Sequence, residues 1–271
     1  MIYNALSIAG SDPSGGAGIQ ADLKVFSAHN VYGMAAITAL TAQNTTGVSA
    51  IHTPSADFVA EQIRMVFSDI RVDAVKIGMI ANAEIAEAVA STLNEVKATN
   101  IVLDPVMIAK GGAPLLAEEA MGCMRDMLVP IADILTPNLP EAAALLGEAE
   151  AGNREDMRRQ AKALQGLGAN NIYLKGGHFT SDESPDLMLT PQAEHWLESR
   201  RIDTKNTHGT GCTLASSIAT GLGQGLALEA AVERGLGYVR RAIEKANSSL
   251  GTGNNKPLNH AHPVLENLQD P

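Results

Sequence analysis

Aromatic side chains are nearly missing from this chain: Phe, Tyr and Trp make up 3% of its 271 residues. Little is therefore available to stack on nucleic-acid bases. Basic clusters are missing too, with 20 Lys and Arg against 30 Asp and Glu and a net charge of −10. Both shortages argue against a nucleic-acid partner. Cysteine is limited to Cys123 and Cys212, in dissimilar contexts that form neither a disulfide framework nor a metal pattern. No apolar run reaches eighteen residues, and the first residues enter a strand without a charged leader. The expectation is a cytoplasmic protein without a membrane span. What the chain does have is aliphatic: 45% of it is apolar, material for a Val/Ile/Leu/Ala core. Its length suits one α/β domain over 1–271. With so acidic a balance, an anionic ligand must be held by local backbone donors or a few lysines.

The stretch that best meets this need is Asn206-Thr207-His208-Gly209-Thr210-Gly211-Cys212, followed by the small apolar run from Thr213. The run reads as a buried helix, and the two glycines leave backbone N–H groups uncovered at its start. Unpaired donors and the positive end of the helix dipole then meet at one point, which is an anion site. Cys212 falls in the first turn, where the same field is expected to lower a thiol pKa. A tight glycine turn ahead of a core helix accounts for the same residues, so the rest of the chain decides.

Taken in order, Ala5 to Gly10 reads as a central strand. Ser11-Asp12-Pro13-Ser14-Gly15-Gly16-Ala17-Gly18 is a glycine-rich loop opening a helix to His29, either a close approach for a ligand or a plain βα turn. It matches neither a Walker loop nor a dinucleotide fingerprint. Strands follow at Met34–Gln43, Val48–His52, Asp73–Gly78, Ile101–Leu103, Asp133–Thr136 and Asn171–Lys175. Helices lie between them, opening at Ser55, Asn82, Leu115, Pro137 and Arg154. A β-ribbon around Trp196 (Leu187–Ile202) sits at the sheet edge, a last helix runs from Leu226 to Ala246, and the tail from about residue 250 is irregular. This alternation predicts one doubly wound, mostly parallel sheet with helices on both faces. Gln43, Asp104, Asn138 and Lys175 all fall at carboxyl ends of strands, where such sheets bind ligands. Asn138 and Glu141, three apart at a helix start, also have the spacing of a capping box.

Several of these motifs together resemble a known family. Gly209-Thr210-Gly211-Cys212 is similar to the anion-hole motif of ribokinase-like kinases, which usually ends in Asp, and Asn138-Leu139-Pro140-Glu141 is similar to their magnesium-associated Asn-x-x-Glu. With Ile8 to Lys24, Thr38 to Asn44 and Thr136 to Ala142, the chain resembles the hydroxymethylpyrimidine/phosphomethylpyrimidine kinases of thiamine biosynthesis. The resemblance covers about residues 3–265. It implies a ribokinase-like fold and ATP-dependent phosphorylation of an aminopyrimidine alcohol to its monophosphate and then its diphosphate. Pyridoxal kinase is the alternative, and a non-catalytic ligand-binding protein of the same fold is a third reading.

By the same resemblance, Gly10, Asp22, Met79 and Val106 line the acceptor pocket with Gln43, whose amide suits an aminopyrimidine edge. Lys175, Asn138 and Asp104 serve the nucleotide, Asp104 and Glu141 hold magnesium, and the partner state is a homodimer. The amides of Gly209, Thr210, Gly211 and Cys212 take the developing phosphoryl charge, and Cys212 acts as base where relatives have Asp. The tail departs from the family at Lys256-Pro257, where Gly-Pro is usual.

Overall fold

A computed structural model describes residues 2–107, 118–177, 183–200, 202–246, 249–254 and 256–263. Its elements run β1 (Tyr3–Ser11), α1 (Gly18–Ala28), β2 (Val31–Asn44), β3 (Gly47–His52), α2 (Ala56–Asp69), β4 (Ala74–Ile77), α3 (Ala83–Glu95) and β5 (Ile101–Leu103). Then come α4 (Glu118–Cys123), β6 (Ile134–Leu135), α5 (Leu139–Leu146), α6 (Arg154–Gly166), β7 (Asn171–Leu174), β8 (Glu183–Leu189), β9 (Glu194–Arg200), α7 (Thr210–Gly223) and α8 (Leu228–Glu244). The strands form one sheet in the order β3-β2-β1-β4-β5-β6-β7-β8-β9. From β2 to β7 the pairings are parallel; β3, β8 and β9 are antiparallel.

Parallel strands covered on both faces need apolar residues at every position, and the period of two sends them to opposite sides. Leu6, Ile8, Val75, Ile77, Ile101, Leu103, Ile172 and Leu174 pack with α2, α3, α5 and α6. Ala74, Val102, Ile134 and Tyr173 face α7 and α8. By that alternation Ser7 and Lys76 also point to the second side, although both are polar and fully buried. Helix starts carry the expected caps: the side chains of Ser55, Asn82, Asn138 and Asn153 accept a backbone N–H three residues on.

Three expectations change. A second antiparallel ribbon, β2–β3, closes the edge opposite β8–β9. Its turn is held by Asn44, whose side-chain Oδ1 accepts from the Thr46 N–H at 2.8 Å; the sequence pattern shows the strands but not that they fold back. The helix expected from Leu115 begins outside the described residues. Its described part is α-helical only to Cys123, then passes through a π turn at Met124–Leu128 and a 3₁₀ turn at Val129–Ile131, because Pro130 cannot donate to an α register. The tail is irregular but packed, with Leu258, His260 and His262 buried and the Tyr238 hydroxyl donating to the His260 carbonyl at 2.6 Å.

Candidate active site

The carboxyl ends of the central strands and the N-terminus of α7 enclose a cavity of about 1340 Å³. That exceeds the roughly 300–1,000 Å³ of a single-ligand pocket. Gly10, Gln43, Met79, Val106, Asp104, Asn138, Glu141, Lys175 and Gly209 to Cys212 all line it.

The anion loop is built as its sequence requires. Gly209 caps α7 with φ +86, a left-handed conformation in which a Cβ would overlap the Gly16 carbonyl oxygen. A Cβ on Gly211 would lie 3.3 Å from Asp104 Oδ2 and 3.5 Å from Lys175 Nζ. The missing side chain therefore lets the charged groups reach the helix terminus. Behind the loop the glycine-rich segment is locked in place. Asp12 accepts the Ser14 and Ala17 N–H groups at 2.9 Å each and lies 2.8 Å from His208 Nε2. His208 N–H donates to the Lys256 carbonyl at 3.0 Å. Lys256-Pro257 thus props the loops from behind, and a Cβ on Gly16 would stand 3.0 Å from the Pro257 Cβ.

At one end of the cavity Lys175 Nζ donates to Asp104 Oδ1 at 3.1 Å and stands 3.8 Å from Glu141 Oε2. Asn138 and Glu141 form a complete capping box, each side chain accepting the other's N–H at 2.8 Å. The capping reading holds, and the same cap aims the Glu141 carboxyl at Lys175. Burial pushes the Glu141 carboxyl up to about 7, with the negative Asp104 adding to the rise and Lys175 opposing it. For Lys175 burial acts downward, but Asp104 and Glu141 outweigh it and hold the ammonium above its usual range.

At the other end Gln43 is placed by the Thr41 hydroxyl, which donates to Gln43 Oε1 at 3.3 Å. Met79 is held by the Thr38 hydroxyl on its carbonyl, at 2.6 Å, and a Cβ on Gly10 would sit 2.9 Å from the Met79 sulfur.

Two expectations fail here. Asp22 does not line the cavity. It is fully buried beneath it, accepting from Ser7 Oγ (2.6 Å), Ser216 Oγ (2.7 Å) and Lys76 Nζ (2.9 Å). An aspartate inside α1 faces the strands, and a buried carboxylate must find its donors there. The Cys212 thiol is not lowered: burial pushes it up to about 11, Asp22 and Asp104 add to the rise, and Lys76 and the Gly18 amide oppose it. Desolvation and two carboxylates outweigh the helix dipole.

Sequence reasoning missed Lys76, Asp186 and the Asp12–His208 pair. Asp186 accepts from the Tyr173 hydroxyl at 2.6 Å and the Gly176 N–H at 2.7 Å, fixing the turn after Lys175. A lone lysine in the apolar run Ala74-Val75-Lys76-Ile77 was the available signal, because a charge in a strand covered on both faces demands a partner. His178, the last residue of the Lys175 turn motif, lies outside the described residues.

A family model described as phosphomethylpyrimidine kinase matches residues 12–259. A hydroxymethylpyrimidine/phosphomethylpyrimidine kinase of Escherichia coli K12 is 51% identical over 216 residues, 80% of this chain and 81% of that protein. Among solved structures, a phosphomethylpyrimidine kinase from Clostridium difficile 630 superposes with a TM-score of 0.80 at 40% identity, covering 89% of this chain and 99% of the other. An ADP complex of Bacillus subtilis pyridoxal kinase superposes with a TM-score of 0.88 at 34% identity, covering 98% and 100%.

Proposed function

The chain belongs to the phosphomethylpyrimidine kinase family, and from that premise we propose how its own residues carry the reaction. ATP phosphorylates 4-amino-5-hydroxymethyl-2-methylpyrimidine to the monophosphate and then to the diphosphate, a step of thiamine biosynthesis. Gln43 reads the aminopyrimidine edge, offering donor and acceptor from one amide, while Gly10, Met79 and Val106 form the walls. Lys175 and Asn138 meet the nucleotide phosphates.

Asp104 and Glu141 suit magnesium. Two carboxylates share one ammonium, and among the described residues no third acidic, His or Cys group joins them. That donor set belongs to an ion whose shell is completed by substrate phosphates and water. Bound there, magnesium would offset the negative charge of the nucleotide phosphates.

The amides of Gly209 to Cys212 face the transferring group and stabilise its developing charge without reorganising. The acceptor oxygen attacks the γ-phosphorus, the bond to the bridging oxygen breaks, and ADP leaves. In the first round the hydroxyl proton must depart, and the thiolate form of Cys212 accepts it. In the second round the nucleophile is an ionised phosphate oxygen and no proton moves. Since burial keeps the resting thiol protonated at neutral pH, phosphorylation of the alcohol rises with pH as the thiolate fraction grows, and that of the monophosphate does not.

The carrying observation is the meeting of Gly211, Asp104 and Lys175 at the start of α7. ATP consumption measured with the alcohol, its monophosphate and pyridoxal side by side tests the reading. Turnover with both pyrimidines is expected; preference for pyridoxal would move the assignment to a pyridoxal kinase. The finer setting is a cytoplasmic homodimer: an ATP-consuming enzyme works where ATP is made, and the family resemblance carries the dimer.

A further inference from the structure

Both rounds of phosphorylation deliver the acceptor to the same helix terminus, yet the acceptors differ in charge. The alcohol is neutral, while a phosphomonoester carries about −1.5 to −2 at neutral pH. Asp104 at that terminus is already met by Lys175, whereas the Asp22 carboxylate below it repels an arriving dianion unless a cation of its own answers it.

Lys76 is placed to do so. It lies on β4, on the strand face turned to α1 and α7, with no solvent exposure, and it borders the cavity beside Gly10, Asp104 and Cys212. Its Nζ donates to Asp22 Oδ2 at 2.9 Å. Asp22 is fixed in turn by Ser7 Oγ at 2.6 Å and Ser216 Oγ at 2.7 Å. Ser216 is one helical turn beyond Cys212, so the pair lies directly below the thiol on one face of α7. The ammonium also curls toward the strand end, since a Cβ on Gly78 would come within 2.7 Å of it. The charged groups around Cys212 are thus Asp22 from α1, Lys76 from β4, Asp104 after β5 and Lys175 after β7.

We infer that Lys76, clamped by Asp22, is a positioning residue: a fixed buried cation in the floor of the acceptor end that favours anionic charge at Cys212 and serves the phosphorylated acceptor more than the alcohol. With no solvent exposure, it acts through Asp22 and Cys212 in a dry interior, where a charge is felt far more strongly than in water. The inference takes the two acceptors from the proposed function, but its first test does not depend on them.

That test is the rate of Cys212 alkylation by iodoacetamide at fixed pH 8, in a Cys123→Ala background that leaves a single thiol. Lys76→Met should slow it about tenfold, and Asp22→Asn, which leaves the cation unopposed, should speed it. In steady-state kinetics Lys76→Met should raise KM for the monophosphate at least tenfold more than KM for the alcohol. Should the single variant not fold, Lys76→Met with Asp22→Asn buries no lone charge and should show the same KM split. An unchanged alkylation rate, or equal losses on both acceptors, would overturn the inference. If wild type phosphorylates neither compound, the substrate reading fails while the alkylation result still decides the role of Lys76.

Discussion

Two lysine–carboxylate clusters flank the first turn of α7, and they differ in how fully the protein satisfies them. Asp22 takes three donors, from Ser7, Ser216 and Lys76, and both members of its ion pair are wholly buried. Lys175 instead divides itself between Asp104 at 3.1 Å and Glu141 at 3.8 Å, with 17% of its side chain still open to the cavity. The first cluster is closed and acts as scaffold. The second is held by charges that a ligand can take over. A charged residue therefore becomes a binding group less by its type than by what its neighbours leave undone.

The sharpest break in that contrast is Asp22→Ala. It strands Lys76 as an unpaired buried charge and should cost about 3–5 kcal/mol in urea unfolding. Lys175→Met should cost clearly less stability, because 17% of its side chain is still exposed and the Glu141 carboxyl left behind can hold a proton. Comparable losses would erase the distinction between scaffold and site. Next in size is Cys212→Ala, which keeps the backbone N–H and removes only the thiol. Single-turnover kinetics should show the alcohol reaction falling by a factor that grows with pH, as the wild-type thiolate fraction grows, and the monophosphate reaction falling far less at every pH. Equal losses would make Cys212 a packing residue.

Smaller still is the pH effect at Glu141. Its carboxyl sits at about 7 in the folded protein against an ordinary 4.5, so between those values the folded state holds the proton more tightly. Stability should fall as pH rises from 4.5 to 7 and then level, by on the order of 1–3 kcal/mol from this group. Glu141→Gln should flatten that stretch of the profile and reduce turnover when magnesium is limiting. An unchanged profile with full turnover would leave the residue as a helix cap alone.

The open cluster was legible in the sequence and the closed one was not. Asp104, Asn138 and Lys175 announce themselves by falling where apolar strand runs end, and Glu141 by its three-residue spacing from Asn138. The strand and helix order follows from the same punctuation. Lys76 lies in the middle of a strand, and its partner is 54 positions away, so no local pattern joins them. Asp22 was read as lining the pocket from the resemblance, and a motif match does not disclose which way α1 turns the carboxylate. The Cys212 field was misjudged for a related reason: the helix dipole can be read from the motif, whereas burial and the Asp22 and Asp104 charges exist only in the fold. The β2–β3 turn and the π turn before Pro130 likewise depend on side-chain hydrogen bonds and register, which periodicity does not record.

The central claim is that one cavity has an acceptor end read by Gln43 and a phosphate end governed by Lys175. Calorimetric titration of Gln43→Leu and Lys175→Met with AMP-PCP plus magnesium, and separately with the hydroxymethylpyrimidine, tests it most directly. The account predicts that Gln43→Leu loses about 1–3 kcal/mol of pyrimidine binding with nucleotide affinity unmoved, and that Lys175→Met does the reverse. Loss of both ligands in either variant would contradict it.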